Sequence, residues 1–120
     1  MTPTLQVMRQ GRMGEGNVAI IRNLHELGVP LVVRNDAGWL RTGFGDFYRE
    51  LQCLEECGVT SLEAIHAATG RAAAACQLNG IMGMIAPSCV ADLLVVAGDP
   101  ITDLGVLAHP LMVIQGAMPW

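Results

Sequence analysis

The chain has 120 residues, 52% of them hydrophobic and only 15% charged, with a net charge of −4. Such an acidic balance leaves no basic stripe to displace counterions, and aromatics at 4% offer little stacking surface, so nucleic acid is excluded as a partner. No apolar run reaches about 18 residues, which excludes a membrane-spanning helix. The opening "MTPTLQVMRQGRMGEG" has neither an apolar stretch nor a small-residue cleavage site, so the expected location is the cytoplasm. A mean hydropathy of +0.41 is high for a soluble monomer. It predicts an apolar patch covered by a partner, or a piece of something larger.

Residues 1–14 carry no sustained period and read as an N-terminal arm. From Glu15 to Leu27 the residues Ile20, Ile21, Leu24 and Leu27 recur at helical spacing, with Arg22, Asn23, His25 and Glu26 opposite. This predicts an amphipathic helix. Gly28 suits its end and Pro30 prevents continuation. Residues 31–35 then read as a short buried strand, closed by the turn Asn35-Asp36-Ala37-Gly38. Helix, turn and strand in that order form half of a βαβ unit.

The stretch "WLRTGFGDF" is loop-like, and Asp46 suits the N-cap of a helix from Phe47 to Cys57 that places Phe47, Leu51 and Leu54 on one face. Glu50, Glu55 and Glu56 read as its solvated side. Thr60-Ser61-Leu62-Glu63 has the form of a capping box and predicts a helix from Ser61 to Ala68. Gly70 breaks it before the alanine-rich "RAAAACQL". Beyond Gly80 the chain turns to loop and strand: "GIMGMIAPSC" is a loop, Leu93 to Val96 a strand, residues 104–107 a short helical stretch, and residues 111–116 a last strand. The expected fold is mixed α/β, a small mixed sheet with strands near 31–35, 92–96 and 111–115 packed by three or four helices.

Asp36 stands at the mouth of the first strand, where a carboxylate serves as a turn-former, a cap or a metal ligand. His25 lies on a polar helix face, His66 on a helix and His109 in a loop, each without an evident partner. Cys53, Cys57, Cys76 and Cys89 form no metal-ligand spacing and are expected to be free thiols. Asp92 and Asp99 read as formers of turns at strand ends. "GFGDF" does not follow a strand and open a helix, so nucleotide binding is not expected.

Taken together, "NVAIIRNLHELGVPLVV", "NDAG", "GVTSLEAIHAAT" and "VADLLVVAGDP" with a following "VIQG" resemble the C-terminal part of the amidohydrolase superfamily. The nearest branch is the imidazolonepropionase and prolidase-like metal-dependent hydrolases. The resemblance implies that residues 15–79 are the last helix–strand–helix part of a (β/α)8 barrel. Residues 80–120 then belong to a β-sandwich that the family builds from both termini. At 120 residues the chain is too short for a whole barrel, which takes about 250.

By the same resemblance, Asp36 matches the aspartate of the last barrel strand, which binds a divalent metal, usually zinc, and accepts a proton from the attacking water. Arg49 and Glu50 would border that site. The family's histidine pair, its lysine and its further histidine ligands have no counterparts here. The chain has no lysine, Arg34 and Asn35 replace a small residue and a threonine, and Ser88-Cys89 replaces Gly-Lys. One carboxylate does not hold a catalytic zinc, which takes three protein ligands. Within this chain alone Asp36 therefore reads as a turn-former, with no metal bound.

Two functions follow from the residues and the resemblance. The chain is the C-terminal fragment of a metal-dependent hydrolase of C–N or peptide-like bonds, catalytically incomplete until a missing N-terminal barrel part supplies the rest. Alternatively, it is a non-catalytic domain that uses former barrel surfaces to self-associate as a homo-oligomer.

Overall fold

The computed structural model describes residues 1–10, 14–39 and 42–119. Among the described residues five α-helices come first: α1 (Leu5–Gln10), α2 (Gly14–Glu26), α3 (Phe47–Glu56), α4 (Ser61–Ala68) and α5 (Gly70–Ala75). Strands β1 (Leu93–Val95), β2 (Met112–Gln115) and β3 (Met118–Pro119) follow, with a 3-10 helix at Leu104–Ala108 between the first two. The fold is mixed α/β.

The helices form because their apolar residues share one core. Leu5 of α1, Ile21 of α2, Leu51, Leu54 and Cys53 of α3, Ala64 and Ala67 of α4, and Leu104 of the 3-10 helix are all buried together. Leu31 and Val33 enter the same core from the segment after α2. Thr60 caps α4 as its sequence predicts: its hydroxyl accepts from the Glu63 amide, and the Glu63 carboxylate accepts from the Thr60 amide. Gly28 and Gly58 take positive φ at the ends of α2 and α3, the conformation that ends a helix most easily at glycine. Asp46 precedes α3 but makes no cap; its carboxylate faces Arg49 instead, at 3.4 Å.

Several expectations are corrected. The region read as an arm contains α1, with Pro3, Thr4 and Leu5 buried; of that arm, residues 11–13 lie outside the described residues, as do residues 40 and 41 of the later loop. Helix α2 ends at Glu26 and buries Ile21 but leaves Ile20 exposed, as is Leu27 just past its end, so its apolar arc is wider than the surface that covers it. Residues 31–35 are extended but join no sheet. The Met1 ammonium donates to the Pro30 carbonyl and the Val32 amide to the Met1 carbonyl, the pattern of one rung between parallel strands. The next amide, Val33, faces the other way and donates to the Ala67 carbonyl near the end of α4. A single rung is no ladder.

The sheet is accordingly antiparallel rather than mixed, in the order β1-β2-β3, with Leu93 opposite Ile114 and Val95 opposite Met112. Asp92 and Asp99 are the turn-formers their positions predict. The Asp92 carboxylate accepts from the Gly116 amide at 2.8 Å, fastening the β2–β3 turn to the start of β1, and the Asp99 carboxylate accepts from the Ile101 amide at 2.9 Å. The helices pack chiefly on one another and on the 3-10 helix, while the sheet's main contacts are internal. Leu94, Val95, Met112 and Val113 therefore stay exposed on it, where helical cover was expected.

The capping box is the local feature most easily tested. Thr60→Ala should lower the unfolding free energy by about 1 kcal/mol in a denaturant titration. An unchanged midpoint would show that α4 is held by its packing alone.

Candidate functional site

The rung between Met1 and Leu31 makes two segments run side by side in the same direction, so their carboxyl ends emerge together. One end is Thr4-Leu5-Gln6, the other Arg34-Asn35-Asp36. Helix α3 reaches the first through Glu50. Its carboxylate accepts from the Leu5 amide and, at 2.8 Å, from the Gln6 amide. These are the first amides of α1, which have no partner inside their own helix.

Glu50 is 0% exposed. Burial pushes its carboxyl above the usual glutamate range; the two amide bonds pull it down, and the negative charge of Asp36 pushes it up again. The expectation of a solvated Glu50 is therefore wrong. Its position carried a signal: Cys53, Leu54 and Cys57, three, four and seven residues on, are all buried, so Glu50 belongs to the core stripe of α3.

Asp36 sits on an exposed turn at φ +48, a left-handed conformation that aspartate tolerates better than most residues. Its carboxylate lies 3.5 Å from the Arg34 guanidinium, and its backbone carbonyl accepts from the Trp39 amide at 3.0 Å. Among the described residues, no three His, Cys, Asp or Glu side chains come together as a metal site. The residues present thus do not fit a metal on their own. His25 faces Glu63 at 3.8 Å, the His66 ring lies against Gly70, and the His109 amide closes the 3-10 helix. Among the described residues the cysteines form no disulfide, and burial, followed by the neighbouring Cys53, pushes the Cys57 thiol up to about 11. A thiol so protonated at neutral pH is a poor nucleophile.

No protein-family model matches the sequence, and no curated protein does either. Solved structures do match. A Xaa-Pro dipeptidase with methionine in its active site is 28% identical, with a TM-score of 0.84 over 91% of this chain and 26% of that one. A putative prolidase from Bifidobacterium longum is also 28% identical, with a TM-score of 0.85 over 99% of this chain and 34% of that one. The chain resembles one third of a prolidase-type amidohydrolase. A molinate hydrolase at 22% identity shares the fold, with a TM-score of 0.80 over 31% of its length. This is consistent with the C-terminal segment that the sequence resemblance implies. No helix among the described residues is long and apolar enough to cross a membrane.

Two substitutions separate the carboxylates. Glu50→Ala leaves two buried amides without an acceptor and should cost about 2–4 kcal/mol of stability. Because the folded pKa of Glu50 is raised, the folded state holds its proton over a pH range where the unfolded chain has released it. The Glu50 contribution is therefore full below the ordinary glutamate pKa of 4.5 and falls as pH rises through the higher folded value. Glu50→Gln should flatten that part of the stability–pH curve; an unaltered curve would mean Glu50 titrates normally. By contrast Asp36→Asn should change stability by less than about 0.5 kcal/mol, since it removes only an exposed ion pair. A loss of several kcal/mol would place its charge in a buried network.

Proposed function

We propose that the chain is the C-terminal part of a metal-dependent hydrolase acting on C–N bonds of amide or peptide-like substrates. The observation that carries this reading is the match of 99% of the chain, at 28% identity, to 34% of a prolidase. In this reading residues 15–79 are the last helix–strand–helix part of the barrel. The Met1 rung belongs to the neighbouring barrel strand, and residues 80–120 to the composite β-sandwich. Asp36 supplies one carboxylate ligand, the last-strand proton acceptor, and its co-ligands come from the rest of the barrel. Arg34 pairs with Asp36 while the chain is alone and must release it once those groups are present. The cytoplasm is the proposed location.

Supporting this reading are the surfaces left uncovered. Ile20 of α2, Leu27 just past its end, Leu94 and Val113 of the sheet, and Ile85 at 92% exposure all lie in solvent. A chain that folded to stand alone would cover more of them. The same surfaces favour a second reading, self-association of a non-catalytic domain, and one experiment divides the two.

In that experiment, the chain replaces the matching third of the Bifidobacterium prolidase, and the folded hybrid is assayed for bound metal and for hydrolysis of a dipeptide panel. Bound zinc and turnover, both lost in Asp36→Ala, are the expected result. A folded hybrid whose metal content is indifferent to Asp36 would overturn the assignment. Light scattering of the isolated chain addresses the other reading: a concentration-dependent dimer supports it, and a monomer throughout the micromolar range removes it.

A further inference from the structure

The chain has four asparagines, and the residue after each decides how readily its side chain is attacked by the backbone. Asn17, Asn23 and Asn35 precede Val18, Leu24 and Asp36, whose side chains crowd the following amide. Asn17 and Asn23 are also wound into α2. Asn79 precedes Gly80, which has no Cβ, in the turn that follows α5. Both residues are exposed, and among the described residues neither the Asn79 side chain nor the Gly80 amide has a hydrogen-bond partner. Gly80 has φ +77, and a Cβ added there would meet nothing within 4 Å. The Gly80 nitrogen is thus unbonded and uncrowded, next in the chain to a solvent-exposed carboxamide.

The same turn is the latch between the helices and the sheet. The Leu78 amide donates to the Ala73 carbonyl of α5 at 2.8 Å, and the Leu78 carbonyl accepts from the Ile81 amide at 3.0 Å. Two further bonds tie the turn to the approach to β1. The Cys89 thiol donates to the Gly80 carbonyl at 3.5 Å, and the Val90 amide to the Ile81 carbonyl at 2.7 Å.

We propose that Asn79 is a site of spontaneous backbone modification, an imide-forming asparagine whose conversion loosens this latch. The Gly80 nitrogen attacks the Asn79 side-chain carbonyl carbon and forms the new N–C bond of a cyclic imide. The bond to the side-chain nitrogen breaks, and ammonia leaves with the proton that Gly80 gives up. Water then opens the imide at either carbonyl. Opening at the side-chain carbonyl leaves an aspartyl residue; opening at the main-chain carbonyl leaves an isoaspartyl linkage. Either product adds a negative charge to a chain of net charge −4. The isoaspartyl form also lengthens the backbone by a methylene just before Gly80, which displaces the carbonyls that Cys89 and Val90 bond. The step needs only water, so it does not rest on the hydrolase reading.

The test is incubation of the purified chain at mildly alkaline pH and body temperature, followed by peptide mass mapping. Asn79 should convert ahead of Asn17, Asn23 and Asn35, with the mass change of an amide becoming an acid. The converted chain should accept methyl groups from S-adenosylmethionine through a purified isoaspartyl methyltransferase, and its Val90 amide should lose protection from hydrogen exchange. Gly80→Ala should slow conversion by about tenfold, since a Cβ crowds the nitrogen and penalises the left-handed turn. Space around Gly80 is open, so this variant should fold, which circular dichroism checks. Asn79→Gln should abolish the modification, because the longer side chain closes its ring far more slowly, and it leaves Gly80 in place. An intact Asn79, another asparagine converting first, or equal conversion in Gly80→Ala would overturn the site. Conversion that leaves Val90 exchange unchanged would overturn the latch.

Discussion

A single buried carboxylate decides how the two ends of the candidate site meet. Among the described residues no cation stands beside Glu50 in the core; its carboxylate accepts from the Leu5 and Gln6 amides at the start of α1. Those amides need an acceptor as much as the carboxylate needs donors, because the carboxylate and the Leu5 amide are buried. The bond therefore spans more than 40 residues of sequence and fixes α1 against α3. It also fixes the chain leaving Met1 beside the chain that ends at Asp36. Remove it, and the rung at Leu31 is the direct backbone link between those two segments.

The apolar surface of the chain has a different logic. A helix in water needs one apolar stripe, yet α2 exposes Ile20 beside the stripe that Ile21 and Leu24 occupy, and Leu27 just past its end is exposed as well. A solvent-facing antiparallel sheet needs one apolar face, yet the β1–β2 pairs Leu94–Val113 and Val95–Met112 put exposed apolar side chains on both. Elements apolar on two sides are built for two neighbours. The chain spans about a quarter to a third of the solved structures it matches.

The loop after Asp36 shows how backbone geometry and side-chain display are linked. Glycine at position 38 allows both the turn and the ring of Phe44 above it. Thr42 is buried, its backbone bonds to Gly38 and Trp39, and its hydroxyl has no partner among the described residues. The Arg34–Asp36 pair stays at the edge, exposed enough that solvent screens it.

Local chemistry made much of the fold legible. Apolar period placed α2, α3 and α4, the Thr60–Glu63 box placed the start of α4, and β-suited runs bounded by Gly, Asp and Pro placed β1 and β2. Short-range rules determine these features, because the partners lie within four residues or along one strand. Asp36 was found through resemblance, since a single carboxylate at a strand end reads equally as a turn. What the sequence by itself did not determine depends on partners far along the chain. Glu50 is core because α1 brings two amides to it. Residues 31–35 form no strand because a ladder needs a neighbour for several residues, and Met1 provides one rung. Only tertiary contact, which alone sets what covers a side chain or pairs a backbone, could decide either.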